Sequence, residues 1–416
     1  MGGDQGLLRQ PDLRRLRRVS LKPTVKVSRR IAEIGREDWD GCAANPAYAA
    51  NPFICFDFLN ALEEANCAVE RTGWGPQHIS VEDDSGRVAA VMPLYLKSHS
   101  QGEYIFDHAW ADAYERAGGR YYPKLLSAAP FVPATGARLL VRPDVDEGEA
   151  RTLLLGGALT LCERYGASGL NLNFLTEPEW RWAGVHGMGL REGQQYHWQN
   201  RDYADFDAFL GALSSGRRKT IRRERRDAQA QAEIVCLTGT DIAEAHWNAF
   251  FGFYMDTGAR KWGQPYLTRA FFTMLGERMA DQVLLIMARR DGRWIAGALN
   301  LIGGDCLYGR HWGCVEEVPF LHFEVCYYQA IEWAIDHGLP RVEAGAQGQH
   351  KIARGYLPRP VYSAHYIADP ILREPVERFL AQERAGVEQE MEWLEEEYSP
   401  FKAETPPLLG SATHEP

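Results

Sequence analysis

The chain has 416 residues, of which 45% are hydrophobic and 25% are charged, and its formal net charge is -10. This length predicts two domains of ordinary size, and the composition is that of an ordinary globular protein. The acidic balance argues against nucleic-acid binding by the whole surface, although it allows a local basic groove. No stretch approaches the ~18 uninterrupted apolar residues of a membrane span.

The eight cysteines show neither a CxxC pair nor the Cys/His spacing of a zinc finger. Cysteines of this kind are typical of reduced thiols in a cytosolic protein. We therefore expect a cytoplasmic location and no metal site.

Residues 1–25 are rich in arginine and are interrupted by Pro11 and Pro23. They lack the apolar core of a secretory signal. We predict a disordered basic extension, with an arm for a membrane surface or nucleic acid as the alternative.

The first predicted domain covers residues 26–200. "HISVEDDSGRVAAVMPLYLKS" alternates around a turn at residues 84–86 and predicts a hairpin. "EGEARTLLLGGALTLCERYGA" has helical spacing and ends at Gly166. "GLNLNFL" predicts a strand, "EPEWRWAGVHGMG" a helix with Pro178 in its first turn, and "REGQQYHWQN" a final strand.

The second predicted domain, residues 201–370, repeats this order. Residues 282–315 predict a three-strand meander with turns at residues 291–292 and 303–305. A helix stopping at Gly338, the strand "RVEAGA", a loop and a last strand follow. The repeat predicts two tandem domains. Residues 371–400 predict an acidic amphipathic helix that packs on the body, and residues 401–416 a disordered tail.

A long aromatic insert, residues 103–138, interrupts the first domain. Long loops in compact domains are usually functional or disordered, and this aromatic content argues against disorder. One reading is a lid over the domain junction; the other is an acceptor pocket. The candidate pocket residues are Asp107, His108, Trp110, Tyr121, Tyr122 and Lys124.

The segment "RRKTIRRERR", residues 217–226, concentrates seven cations and one glutamate. Like charges on one helix repel, and a bound polyanion would reverse that repulsion. The candidates for binding a donor phosphate here are Arg218, Lys219, Arg222 and Arg225. The alternative is a solvated face whose counter-charges lie on neighbouring acidic elements such as the tail helix.

The loop after "RVEAGA" is the strongest candidate for a catalytic site. It brings Lys351, which could stabilise a phosphate or an oxyanion, close to Glu343 and His350, which could act as bases. Arg354 adds a candidate phosphate ligand, and His311, at the end of the meander, adds another candidate base. The alternative is a glycine-rich connection whose basic residues face water.

Two tandem units of meander, helix and splayed strand resemble the GNAT acyltransferase fold. Residues 213–237, 283–313 and 337–358 are similar to segments of the Fem-like aminoacyl transferases and of related predicted bacterial N-acyltransferases. The aromatic insert looks typical of the latter. The resemblance implies an α/β fold of two tandem GNAT-like domains, each a mixed sheet flanked by helices, plus a C-terminal helix. It also implies that Lys351 matches the lysine of the family.

The resemblance implies transfer of an acyl or aminoacyl group to an amine of a small molecule or peptide. The co-substrate would be an acyl-CoA or an aminoacyl-tRNA, with tRNA as a candidate partner and no permanently bound cofactor. Acetyl-CoA enzymes carry a glycine-rich pyrophosphate turn, but the corresponding "CVEEVPFLHFEVC" has no glycine. Acetyl-CoA is therefore not supported as the donor. The alternative function is a non-catalytic protein that binds RNA or phospholipid through residues 217–226.

Overall fold

The computed structural model describes residues 20–116, 118–261, 265–346 and 348–402. Most of the predicted basic extension and of the predicted disordered tail therefore lies outside the described residues. The first strand, β1 (Leu21–Ser28), begins inside the segment predicted as an extension. The strand is held there by antiparallel pairing with residues 78–83.

The remaining strands follow in chain order. They are β2 (Trp74–Pro76), β3 (His78–Asp83), β4 (Val88–Met92), β5 (Tyr95–Lys97), β6 (Lys124–Ser127), β7 (Leu140–Val141), β8 (Gly169–Leu175), β9 (Gly189–Gln199), β10 (Glu233–Thr238), β11 (Val283–Arg290), β12 (Arg293–Ile302), β13 (Cys306–Cys314), β14 (Arg341–Glu343) and β15 (Leu357–Ile367).

The helices surround these strands. They are α1 (Arg36–Ala43), α2 (Phe56–Glu64), α3 (His108–Arg116), α4 (Glu147–Tyr165), α5 (Glu177–Val185), α6 (Phe206–Ala212), α7 (Ser215–Gln229), α8 (Glu244–Lys261), α9 (Arg269–Arg278), α10 (Leu321–Phe323), α11 (Gln329–Asp336) and α12 (Pro370–Tyr398). A π turn (Glu324–Tyr328) joins α10 to α11, and a 3-10 turn (Gln349–Arg354) precedes β15.

Local sequence signals explain several of these elements. The Asp146 side chain accepts a hydrogen bond from the Glu149 amide and caps α4, and Gly166 ends that helix in the left-handed region. The β11–β12 turn places Asp291 and Gly292 at positive φ, as a two-residue hairpin turn requires. The predicted β3–β4 hairpin and the predicted meander are confirmed.

An eleven-stranded sheet runs through both halves in the order β10-β11-β12-β13-β14-β9-β15-β8-β6-β5-β2. The final strand of the first half, β9, lies between β14 and β15 of the second half. The final strand of the second half, β15, in turn pairs with β8. The two halves therefore exchange their last strands. A separate sheet has the order β1-β3-β4-β7.

The largest apolar core also joins the halves. The Phe53 ring of the first half meets the Tyr308 ring edge-on, with centroids 5.1 Å apart, and Phe58 meets Phe271 in the same way at 5.7 Å. Edge-to-face aromatic pairs of this kind add to the free energy gained by burial. The junction between the halves is therefore packed as an interior, which fixes the geometry of any site there.

The C-terminal helix α12 packs on β9 and β15. Two of its own side chains, Leu380 and Leu394, are buried. Arg191 pairs with Glu383 at 2.7 Å, and Arg359 pairs with Glu395 at 3.0 Å. These contacts hold the acidic helix against the exchanged strands.

The aromatic insert is more regular than its sequence suggests. Residues 103–138 contain α3 and β6, and β6 pairs with both β5 and β8 inside the large sheet. The expectation of a long irregular loop is therefore corrected. Within the described part of the chain, none of the helices has the length and apolar character needed to cross a bilayer.

Candidate active site

The candidate site lies where two strands of the second half separate. β13 and β14 pair in parallel only over residues 306–308 and 341–343. Beyond this point β13 continues to Cys314, while the chain leaves β14 and returns through the 3-10 turn. Residues 309–312 of β13 and residues 195–197 of β9 flank the point where this pairing ends; we call this region the wedge.

The polar side chains at the wedge share one face of the sheet. Tyr308, Glu343 and His197 are direct cross-strand neighbours, and such neighbours point to the same face. Gln195 follows His197 on that face and donates to the Pro133 carbonyl at 2.9 Å. The Arg310 guanidinium donates to the Phe131 carbonyl. Residues 130–133 of the insert therefore cover the wedge from the first half.

A β-bulge helps to shape this wall. Leu299 pairs with His311 and Asn300 with Gly309, so Arg310 is the extra residue of β13. Bulges redirect side chains and are common beside functional sites. Here Arg310 and His311 both line a narrow apolar crevice that residues 130–132 also line.

Glu343 is the most unusual carboxyl group of the wedge. Its residue is only 4% exposed, and burial raises its pKa to about 7 despite the nearby Arg341. Oε1 lies 3.4 Å from the Arg341 Nε, while Oε2 has no hydrogen-bond partner among the described residues. A carboxyl group with such a pKa can exchange a proton near neutral pH.

Lys351 is a buried cation in the 3-10 turn that follows β14. It is 2% exposed, and its Nζ donates to the Gly345 carbonyl at 3.0 Å. Burial lowers its pKa to about 8. No carboxylate among the described residues forms a salt bridge with it. An ammonium group without a counter-ion is available to stabilise a developing oxyanion or a phosphate.

The histidines differ from the sequence expectation. Burial lowers the pKa of His311 to about 3, so this imidazole is neutral and too weakly basic to remove a proton from an amine near neutral pH. His350 keeps an exposed ring, and its Nε2 lies 3.0 Å from the Tyr327 hydroxyl. Burial lowers the pKa of His350 also.

Two residues of the wedge were not predicted. His197 is buried, and burial together with neighbouring cations lowers its pKa to about 3. Arg310 reaches the covering segment through Phe131. Only the strand exchange places His197 beside Glu343, and only the bulge redirects Arg310, so no local sequence signal could have identified either.

Two predicted phosphate ligands are corrected. Arg225 pairs with Glu324 at 3.1 Å and with Glu332. Arg354 donates to both Glu224 oxygens at 3.1 Å and lies over the Phe323 ring at 3.4 Å. Carboxylates from distant segments thus neutralise these guanidinium groups.

Of the other predicted phosphate ligands on the basic helix, one has a carboxylate partner and two do not. Arg222 forms an exposed pair with Asp207 at 2.9 Å. Arg218 and Lys219 have no carboxylate partner in the described chain. The salt bridges of the described residues include none between α7 and α12, so the tail helix does not supply the expected counter-charges.

The predicted acceptor pocket is also corrected. Lys124 donates to Glu103 and Ser100, each at 2.8 Å, and to Asp107. The Tyr121 hydroxyl donates to Asp107 at 2.6 Å. Lys124, Asp107 and Tyr121 are thus buried and bonded to one another, although Oδ1 of Asp107 has no hydrogen-bond partner among the described residues.

The other predicted pocket residues are equally unsuited to one common cavity. Trp110 is buried edge-on against His365 at 4.9 Å. Tyr122 meets the Ser100 hydroxyl at 2.8 Å, and His108 is exposed. The described residues likewise contain no group of three His, Cys, Asp or Glu side chains arranged to hold a metal ion.

Comparisons with known proteins identify the family of the chain. Residues 30–403 match the family model described as FemAB-like, peptidoglycan biosynthesis/recognition. No curated protein matches the chain.

Solved structures share the architecture. FemX is 13% identical, with a TM-score of 0.50, and the match covers 82% of this chain and 98% of FemX. The C-terminal domain of a putative lysylphosphatidylglycerol synthetase from Agrobacterium fabrum is 10% identical, with a TM-score of 0.50 and coverage of 85% and 96%. A tandem GNAT protein from the clavulanic acid biosynthesis pathway is 14% identical, with a TM-score of 0.46 and coverage of 83% and 99%. The predicted tandem GNAT-like fold and the Fem-like resemblance are confirmed.

Proposed function

The chain belongs to the FemAB-like family, and on that premise we propose that it transfers an acyl or aminoacyl group from an activated ester or thioester to an amine. One observation carries the proposal. Glu343, a buried carboxyl group with a pKa of about 7, lies at the wedge, and the 3-10 turn that follows β14 carries Lys351, a buried ammonium group with a pKa of about 8. Acyl transfer to an amine needs both a base and a stabiliser of negative charge.

In the proposed reaction, the amine nitrogen attacks the donor carbonyl carbon and a C–N bond forms. The Glu343 carboxylate accepts the proton that the nitrogen loses, and the Lys351 ammonium stabilises the oxyanion. Collapse of the intermediate breaks the C–S or C–O bond, and the leaving group takes up the proton held by Glu343. Residues 130–133 cover the wedge and would limit competing hydrolysis by water.

The donor would be an acyl-CoA or an aminoacyl-tRNA, and the acceptor an amine of a small molecule or peptide. The family description favours an amine of a peptidoglycan precursor. A second candidate is binding of RNA or phospholipid without chemistry, which the unpaired Arg218 and Lys219 favour. That alternative gives Glu343 and Lys351 no role.

The test is a transfer assay with labelled aminoacyl-tRNA or acyl-CoA and a panel of amines. Glu343→Gln and Lys351→Met should each lower kcat by roughly a hundredfold. Glu192→Gln is the matched control, because burial also raises the pKa of this β9 carboxyl group but the alternation of the strand directs it to the opposite face. Transfer within twofold of the parent in both wedge variants would exclude this mechanism.

A further inference from the structure

A cavity of about 270 Å³ adjoins the turn that carries Lys351. It is built from three elements that are far apart in the sequence: the start of α7, the 3-10 turn and the end of α12. Arg217 comes from the first, His350 from the second, and Trp393 and Tyr398 from the third. The volume is close to that of small-molecule sites in proteins.

The aromatic residues of this cavity are unusually exposed. Trp393 is 49% exposed and Tyr398 is 48% exposed. Their ring centroids are 5.2 Å apart at an angle of 74°, and the buried Leu394 fixes this end of α12. Ring faces left in contact with water at a cavity provide a stacking surface for a flat ligand.

The cations of α7 are least neutralised at the end that forms this cavity. Arg222, Arg225 and Arg226 each pair with a carboxylate, at 2.9, 3.1 and 2.8 Å respectively. Arg217 and Arg218, in the first turns, have no such partner among the described residues. Like charges left unpaired on one helix are unfavourable, and a bound anion would relieve that repulsion.

We propose that this cavity binds the adenosine-phosphate end of the donor, with the base stacked on Trp393 beside Tyr398 and a phosphate on Arg217. This inference rests on the proposed function. Both donor classes carry the required chemistry, CoA as a 3′-phosphoadenosine and aminoacyl-tRNA as its 3′-terminal adenosine. His350 lines the cavity and directly precedes Lys351, so the same turn connects the nucleotide end of the donor to its reacting end.

The experiment measures equilibrium binding of two probes to the full chain: 3′,5′-ADP for CoA, and a short RNA hairpin ending in CCA for tRNA. Trp393→Ala and Arg217→Ala should each lower the affinity for whichever probe the parent protein binds by roughly tenfold. This is the loss expected when a stacked base or a phosphate contact is removed. Phe379→Ala is the control on α12, because Phe379 is 45% exposed but lies outside the cavity. Arg226→Ala is the control on α7. The probe that binds identifies the source of the adenosine.

Unchanged affinity of both probes in both cavity variants would overturn the inference, as would failure of the parent protein to bind either probe. Far-ultraviolet circular dichroism verifies that each variant is folded. The parallel transfer assay separates the two proposals. Transfer that depends on Glu343 but not on Trp393 would refute the cavity and leave the function standing. Nucleotide binding that depends on Trp393, in a protein without transfer activity, would do the reverse.

Discussion

At the scale of single residues, burial sets the charges of the two proposed catalytic groups, Glu343 and Lys351. Glu343 is carried on β14, and Lys351 lies eight residues later in the 3-10 turn. Burial raises the pKa of Glu343 and lowers that of Lys351, to about 7 and about 8. Burial disfavours the charged form of each group, which moves an acid and a cation toward the same pH range.

The first prediction follows for the pH dependence of kcat/KM. Below about pH 7 Glu343 is protonated and cannot accept a proton, and above about pH 8 Lys351 loses its charge. We therefore expect a narrow bell with its maximum between these values. Lys351→Arg should keep the acid limb and lose the alkaline limb, because a guanidinium stays charged, although the maximal rate should fall. A flat profile from pH 6 to pH 9 would contradict the assignment.

The second prediction concerns stability. Because the folded-state pKa of Glu343 is raised from 4.5 to about 7, the unfolded chain releases this proton first as the pH rises. Folding therefore loses stability between about pH 4.5 and pH 7, by an amount on the order of 3 kcal/mol. Glu343→Gln removes this loss. The variant should be more stable than the parent at pH 8 by urea unfolding.

The same measurement at pH 4 is its internal control. At pH 4 Glu343 is largely protonated in both the folded and the unfolded parent chain. The stability difference between Glu343→Gln and the parent should therefore largely disappear. A stability difference that is equal at both values of pH would show that Glu343 ionises normally in the folded protein.

At the scale of elements, the basic helix supports the 3-10 turn that contains Lys351. Glu224 of α7 accepts hydrogen bonds from Arg354 and from the Tyr328 hydroxyl, and Arg354 also donates to the His350 carbonyl at 2.8 Å. Both Glu224 and Arg354 are buried. The pair therefore links α7 to the turn that contains Lys351.

The third prediction tests this link. Removing one partner of a buried ion pair leaves an uncompensated charge, which typically costs about 3 to 5 kcal/mol. Glu224→Leu and Arg354→Met should each destabilise the protein by about that amount, while the double variant should cost clearly less than the sum. Asp207→Asn breaks only the exposed pair with Arg222 and should leave the unfolding free energy nearly unchanged. Additive effects of the two buried substitutions would mean that the groups are not coupled.

Element ends were predictable from the sequence, whereas the partners of charged side chains were not. Gly166 stops α4 because a glycine favours the left-handed conformation there, and this signal is local. Arg354 and Arg225 carry no sequence signal that distinguishes them from free cations. Their carboxylate partners lie roughly a hundred residues away or more, so only the fold shows that both are neutralised.

At the scale of the whole molecule, the order of elements was predictable but the pairing of the last strands was not. Each half reads as hairpin, helix, strand and final strand, and these elements form. However, nothing in the sequences of β9 and β15 assigns either strand to one position in the sheet, because both are eleven residues long and neither carries a local signal for its neighbours. The exchange of strands is decided by the assembled core, and it brings His197 beside Glu343.

The last prediction is that the two halves unfold together. Removing β9 would deprive both β14 and β15 of a neighbour, and removing β15 would expose β8. Neither half can therefore open without breaking hydrogen bonds of the other. In native-state hydrogen exchange, the protected amides of β8, β9, β13 and β15 should share one opening free energy, equal to that of global unfolding by urea.

Amides of the separate sheet that contains β1 provide the comparison, because their local openings should cost less. If the amides fell into two groups divided near residue 200, with opening free energies more than about 2 kcal/mol apart, the halves would be independent folding units, and the wedge would lie at a hinge instead of within one cooperative sheet.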